Sequence, residues 1–379
     1  MPNSVLTQFL NQIPFDANIC IYGSNNIAEK LYKEIQENRK DVTVKFFIDS
    51  NKTGNLCGLP IYLITEIPAY SKDIDLAIVA SYSARYYLEL LLRGFGITEI
   101  LKINKEVFYE LRNKLFLNKD LSTQISVFKT DEDKELYKMI YDARGGINKN
   151  KIYEYYISKH NEEIIGYGAN NTYSIDHYFE FINKNAIKTV IDAGGYDGLF
   201  SVMFLQRFPN CEKVFCFEPC YEKFKAPILD TIIQNDNRIE IVNKGLWNER
   251  TTLKFREELQ AKTGSGVVGV KKDFGRAQQI ITIDAESIDN FVNDRKTKID
   301  FIKMDIENSE MKALEGARKT LTEHRPQLAV SIYHSDEQFL NIPVYLNKIL
   351  EDYEFRLGHY SRKTLETVLY AIPKELSAR

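Results

Sequence analysis

The chain has 379 residues, a formal net charge of −3 and 44% hydrophobic residues. That length predicts roughly two or three domains, and the near balance of charge with scattered lysines excludes a phosphate-tracking surface, so no nucleic-acid partner is expected. No apolar stretch is long enough to span a bilayer, and Asn3, Gln8, Asn11 and Gln12 interrupt any signal-peptide core.

The first domain is expected over residues 1–110. Asn18–Tyr22 reads as a strand, Gly23–Asn26 as a turn and Ile27–Ile35 as an amphipathic helix. Further strands are expected at Val42–Ile48, Ile74–Ala80 and Glu99–Ile103, with a helix to about Arg93 between the last two. Alternating strands and helices imply a parallel sheet. A dinucleotide fingerprint wants three glycines, but only Gly23 is present; Asp49 stands where a ribose-binding acid belongs. Nucleotide binding, substrate handling and dimerisation all remain open for this domain. A homo-oligomer is open as well.

Residues 111–174 read as a helical connector. Asp131–Arg144 begins with acids, which complement the helix dipole, and Gly145-Gly146 stops it. Another helix is expected near Ile152–Ile157. Gly166–Thr172 reads as a loop, and Ile175–Ile182 as a helix in which His177 is a surface residue.

The third segment, 175–379, carries the chemistry. Ile187, Val190 and Ile191 read as a short buried strand that Asp192 ends, followed by Gly194, Gly195, Tyr196, Asp197 and Gly198 and then a helical pattern with Leu199, Phe200, Met203, Phe204 and Phe208 on one face. A glycine turn between a strand and a helix suits a nucleotide-like cofactor, with backbone N–H groups expected to be free for it. Asp192 is placed to meet a cation. The next strand, Lys213–Phe217, ends at Glu218-Pro219, about where a ribose-binding carboxylate belongs. Of the five cysteines, Cys20, Cys57, Cys211, Cys216 and Cys220, none has zinc-finger company, so reduced thiols in a cytoplasmic protein are the expectation. Cys216 and Cys220 flank Glu218, where a redox role is the minor alternative.

Arg238–Asn243 reads as a third strand, with Lys244, Gly245 and Leu246 lining a pocket at its end. Thr252–Phe255 and Gln279–Ile283 read as added strands. Between them, Lys262–Gly269 with Lys271, Lys272 and Arg276 is either a basic lid suited to an anionic substrate or a plain hairpin with solvated lysines. Asp284 is expected to cap the helix Ser287–Val292. Asp300–Glu307 is a strand ending in two carboxylates, Asp305 and Glu307; Gln327–Tyr333 is a fifth strand, ending at His334. Tyr353–Leu357 and Thr364–Ala371 form a closing hairpin whose turn holds His359 and Arg362.

Taken together, Val190–Gly198, Phe217-Glu-Pro219, Asn243–Trp247, Asp300–Glu307, Ala313–Ala317, Ser331–His334 and Glu366–Ala371 resemble the FkbM family of S-adenosylmethionine-dependent methyltransferases over roughly residues 175–373. The family has Gly-Ala after its Asp-x-Glu motif, where this chain has Asn308-Ser309, residues that suit a helix start. The first domain is similar to the Rossmann-like module on sugar-modifying enzymes. The resemblance implies an α/β protein with a class I methyltransferase-type doubly wound sheet, mostly parallel with a closing antiparallel hairpin, behind that smaller module.

It further implies S-adenosylmethionine as cofactor, bound by Asp192, Gly194, Gly195, Tyr196, Asp197, Gly198, Phe200, Phe217, Glu218, Pro219, Lys244, Gly245, Leu246, Asp305 and Tyr178. The implied acceptor is a hydroxyl of a sugar, nucleotide sugar or glycan precursor, as in polysaccharide biosynthesis. A weakly acidic hydroxyl needs a base or a Lewis-acid cation. His334 is expected as the base, with Asp305, Glu307 and His359 as further catalytic residues. A divalent metal is open but not expected, since no ligand spacing demands one. Methylation of nitrogen or carbon, and a non-catalytic nucleotide-sugar-binding or assembly role, are the alternatives.

Overall fold

The computed structural model describes residues 4–81, 86–116, 120–160, 164–166, 172–174, 177–258, 265–269 and 278–377. The chain divides into two compact units, residues 1–120 with 145–147 and residues 121–144 with 148–379.

In the first unit the strands are β1 (Asn18–Tyr22), β2 (Thr43–Asp49), β3 (Gly54–Leu56), β4 (Leu59–Leu63), β5 (Leu76–Val79) and β6 (Ile100–Lys102), ordered β3-β4-β2-β1-β5-β6. All neighbours are parallel except the hairpin β3-β4. The four expected strands are present; the hairpin was not expected. Ile19, Ile21, Phe47 and Ile78 are fully buried, as strands covered on both faces require. The helix Asn26–Asn38 starts at Asn25, whose side chain accepts from the N–H groups of Ile27 and Ala28. Both oxygens of Asp49 are engaged, one by Ser24 Oγ and one by the Asn51 N–H.

In the second unit, β7 (Ile164–Gly166) and β8 (Thr172–Ser174) pair with each other. The main sheet contains β9 (Thr189–Ala193), β10 (Lys213–Phe217) and β11 (Ile239–Val242). A smaller four-stranded sheet holds β12 (Gly245–Leu246), β13 (Thr251–Glu258), β14 (Gly266–Val267) and β15 (Gln278–Glu286). The main sheet continues with β16 (Phe301–Met304), β17 (Gln327–Ser331), β18 (Tyr353–His359) and β19 (Thr367–Pro373), in the order β11-β10-β9-β16-β17-β19-β18. The first five of these are parallel and the last two close the sheet antiparallel.

Every side chain of β16 and β17 is buried, and aromatic rings of Phe204, Phe208 and Phe301 pack against one another beneath the helix Leu199–Arg207. The helix Asp131–Arg144 belongs to this unit. Its Asp133 is more than an acid facing a helix dipole: it is buried, and it accepts from Arg356 Nε at 2.7 Å and from the Leu357 N–H.

Two local expectations need correction. His177 to Phe181 form turns instead of a helix, and His177 is buried, stacked on Tyr178 at 3.9 Å. Ser287, not Asp284, caps the helix Ile288–Arg295, by accepting from the Asn290 N–H; Asp284 lies in β15 opposite Thr252. Gly245 and Leu246 are strand residues of the small sheet, paired with Ala285 and Glu286, and Lys244 Nζ reaches Glu286. Most of the basic segment 262–276 lies outside the described residues. No helix among the described residues is long and apolar enough to cross a membrane.

Candidate functional site

The parallel strands of the main sheet all end at one edge. β9 leads outward in one direction to β10 and in the other to β16, so the carboxyl ends of these strands are the sheet's topological switch point, where ligands bind in such sheets. Gly194-Gly195, Glu218, Asp305 and His334 all follow those ends.

The glycine turn is held from inside. The N–H groups of Gly194 and Gly195 both donate to the Phe217 carbonyl at 3.0 Å, and that of Gly198 to the Gly195 carbonyl. These donors are therefore not free for a ligand, contrary to expectation. The glycines answer to protein neighbours. A Cβ on Gly194, whose φ is +79°, would lie 1.8 Å from the Asp305 carbonyl oxygen, and one on Gly195 would lie 2.1 Å from Cys216 Sγ.

Asp192 does meet a cation, but an internal one. It is fully buried, 3.0 Å from Lys303 Nζ, and accepts from Ser201 Oγ at 2.7 Å. Lys303 also donates to the Gly194 carbonyl at 2.6 Å, so this pair braces the turn from beneath. Asp197 Oδ1 accepts from the Leu199 N–H. Phe217 is buried against Phe291, while Phe200 and Pro219 are half-buried.

Glu218 faces the turn. Oε2 accepts from the Tyr196 N–H at 3.2 Å and Oε1 from the Cys220 N–H at 3.0 Å. Burial pushes its carboxyl up to about 7, against those two hydrogen bonds. Cys216 and Cys220 are both free thiols, and burial pushes the Cys220 thiol up to about 12, which leaves it in the unreactive form.

Beside the turn lies a cluster of carboxylates. Asp305 Oδ2 accepts from Tyr178 Oη at 2.7 Å, and Tyr333 Oη lies 3.4 Å from Oδ1. His334 Nε2 is 3.2 Å from Asp305 Oδ1 and 3.6 Å from Glu307 Oε2, and its Nδ1 is 3.0 Å from Glu310 Oε1. Burial opposes charge on the ring, but Glu310, Asp305 and Glu307 outweigh it and hold His334 up at about 10. Burial also opposes charge on Asp305, yet His334, Lys303 and the Tyr178 hydroxyl hold that carboxyl below its usual range. Glu307 and Asn308 have φ of +56° and +79°, a left-handed backbone uncommon for such residues and typical of functional sites.

The expected base, His334, faces carboxylates at both ring nitrogens: Asp305 and Glu307 at Nε2 and Glu310 at Nδ1. His359 is buried in the closing hairpin with Nδ1 2.9 Å from Thr367 Oγ1, and Arg362 lies over the rings of Tyr153 and Tyr156. Glu310, Glu366 and His177 were not expected here. Glu366 is buried with Oε2 3.7 Å from His177 Nε2, and burial next to Asp305 pushes its carboxyl up to about 8.

Residues 192–357 match the family model described as the methyltransferase FkbM domain. No curated protein matches the sequence. Among solved structures, the methyltransferase FkbM from Methylobacillus flagellatus KT is similar at 19% identity, over 96% of this chain and 92% of that one, with a TM-score of 0.47. An rRNA methylase from Streptococcus thermophilus matches at 14% identity, over 52% of this chain and 93% of that one, with a TM-score of 0.32. The precorrin-6y C5,15-methyltransferase from Geobacter metallireducens GS-15 matches at 10% identity over 49% and 79%, with a TM-score of 0.29. On the family match, residues 192–357 are a methyltransferase domain of the FkbM family.

Proposed function

We propose that the protein transfers a methyl group from S-adenosylmethionine, the donor its family implies, to a hydroxyl of a sugar, nucleotide sugar or glycan precursor. The observation that carries this reading is the pairing, along one sheet edge, of a buried acid at Glu218 with the carboxylate cluster around Asp305. When bound, S-adenosylmethionine supplies an electrophilic methyl group on a sulfonium.

The residues of the turn fit such a donor. Glu218 is fixed by two backbone N–H groups and keeps acceptor capacity on both oxygens for a pair of ribose hydroxyls. Tyr178 is held as a neutral hydrogen-bond donor, since burial and Asp305 push its hydroxyl far above its ordinary range. It donates to Asp305 Oδ2 at 2.7 Å and so fixes that carboxylate. Glu307 is the most exposed carboxylate facing His334, at 32% of its side chain, and receives the acceptor's proton before releasing it to water. A hydroxyl is weakly acidic and needs such a base to become nucleophilic. The cysteines, all of them free, suit a reducing cytoplasm.

Glu218→Ala should weaken S-adenosylmethionine binding by about 1.5–3 kcal/mol, the scale of hydrogen bonds to a charged group. Only the ionised carboxyl accepts from both hydroxyls. Affinity should therefore fall as pH drops below about 7 in the wild type and be flat across that range in Glu218→Ala. Calorimetric titration between pH 6 and 8.5 reads both effects. Equal affinity in the two proteins would remove Glu218 from the donor site.

A further inference from the structure

We propose that Asp305, Glu310 and His334 hold a divalent cation of the Mn²⁺ class, which binds the acceptor's hydroxyl oxygen. The proposal deepens the reading of this cluster as the acceptor site and rests on it.

One ligand atom from each of the three side chains lies within 4.8 Å of the other two. Donors at about 2.1 Å from a six-coordinate ion lie roughly 3 to 4.3 Å apart, so a small inward shift closes the site. A second observation is independent of that clustering. Glu310 is fully buried; its Oε1 accepts from the Ile306 N–H at 2.8 Å, but its Oε2 has no hydrogen-bond partner. Nδ1 of His334 is likewise buried without an aligned hydrogen bond, although Glu310 Oε1 is only 3.0 Å away.

A buried carboxylate oxygen with no donor is costly and calls for a ligand. The backbone N–H on Oε1 orients the carboxylate in the way that partners of a ligating group do.

The donor set selects the metal. Two carboxylates and one imidazole are too hard for a thiolate-loving ion and too few to close a coordination sphere, which leaves positions for water and the acceptor oxygen. Asp305 is 24% exposed at its side chain, so that open side reaches solvent. A hydroxyl bound to the cation becomes more acidic, and its proton passes to Glu307.

The test is Mn²⁺ titrated into the chelator-treated full chain, read by calorimetry and pulsed electron paramagnetic resonance, with no acceptor present. One Mn²⁺ per chain is expected, with nitrogen modulation from one imidazole. Glu310→Gln should weaken binding at least about tenfold, the minimum typical even for a residue that only supports a ligand. No stoichiometric binding, a nitrogen-free spectrum or an unchanged affinity in Glu310→Gln would overturn the proposal. The wild-type spectrum decides it even if that variant fails to fold. S-adenosylmethionine titrated into the same metal-free protein reports separately on the donor site. Donor binding without Mn²⁺ binding would discard the cation alone.

Discussion

Glu307→Gln is expected to lower kcat by about 10²–10⁴-fold, the usual loss when a general base is removed. Binding of S-adenosylmethionine should be unchanged, because Glu218 and the glycine turn lie on the other side of Asp305. The amide keeps the volume and the left-handed backbone at φ +56° but cannot accept a proton at neutral pH. Assigning the proton to Glu307 follows from the surroundings of His334, whose two nitrogens are turned toward Glu310 and toward Asp305 with Glu307. Single-turnover rates with labelled donor and a hydroxyl acceptor measure the effect. A variant with full activity would take the proton away from Glu307.

The second large effect is on stability. Lys303→Met should destabilise the protein by about 3–5 kcal/mol, the scale of breaking a buried ion pair from one side. Lys303 and Asp192 are both buried, and the substitution leaves Asp192 with Ser201 Oγ and no positive charge. It also removes the bond from Lys303 to the Gly194 carbonyl, so the turn loses its brace. Adding Asp192→Asn removes the orphaned charge and should restore part of the loss. Urea denaturation reads both variants. A loss below about 1 kcal/mol in Lys303→Met would mean that water or another group reaches Asp192.

Most of the second unit's fold was legible because its strands are short apolar runs ended by acids or glycines. Val190-Ile191, Phe215–Phe217 and Phe301-Ile302 declare buried parallel strands without any tertiary information. The turn after β9 was legible as a turn but its reason was not. Its glycines exist to admit the Asp305 carbonyl and Cys216 Sγ, partners more than twenty residues away. Likewise the free N–H groups expected there are consumed by Phe217, which only the strand register reveals.

Other signals lie in the sequence itself. Lys303 stands in Phe301–Met304, where both neighbours are buried, and a lysine at such a position requires a counter-charge. Asp192 ends the adjacent strand, so their pairing follows once β9 and β16 are known to be neighbours. Glu310 carried no comparable mark, because a Glu early in a helix reads as solvated, and Glu366 stood in the expected closing strand Thr364–Ala371 with no partner apparent from sequence. Their burial comes from the convergence of β16, β17 and the closing hairpin.

Crystals of the full chain grown with S-adenosylhomocysteine test the central claim most directly. The account predicts density at the carboxyl edge of the main sheet, with the ribose hydroxyls within hydrogen-bond distance of Glu218 and the sulfur toward Asp305 and Glu307. Density elsewhere on the chain, or a ribose that makes no contact with Glu218, would contradict it.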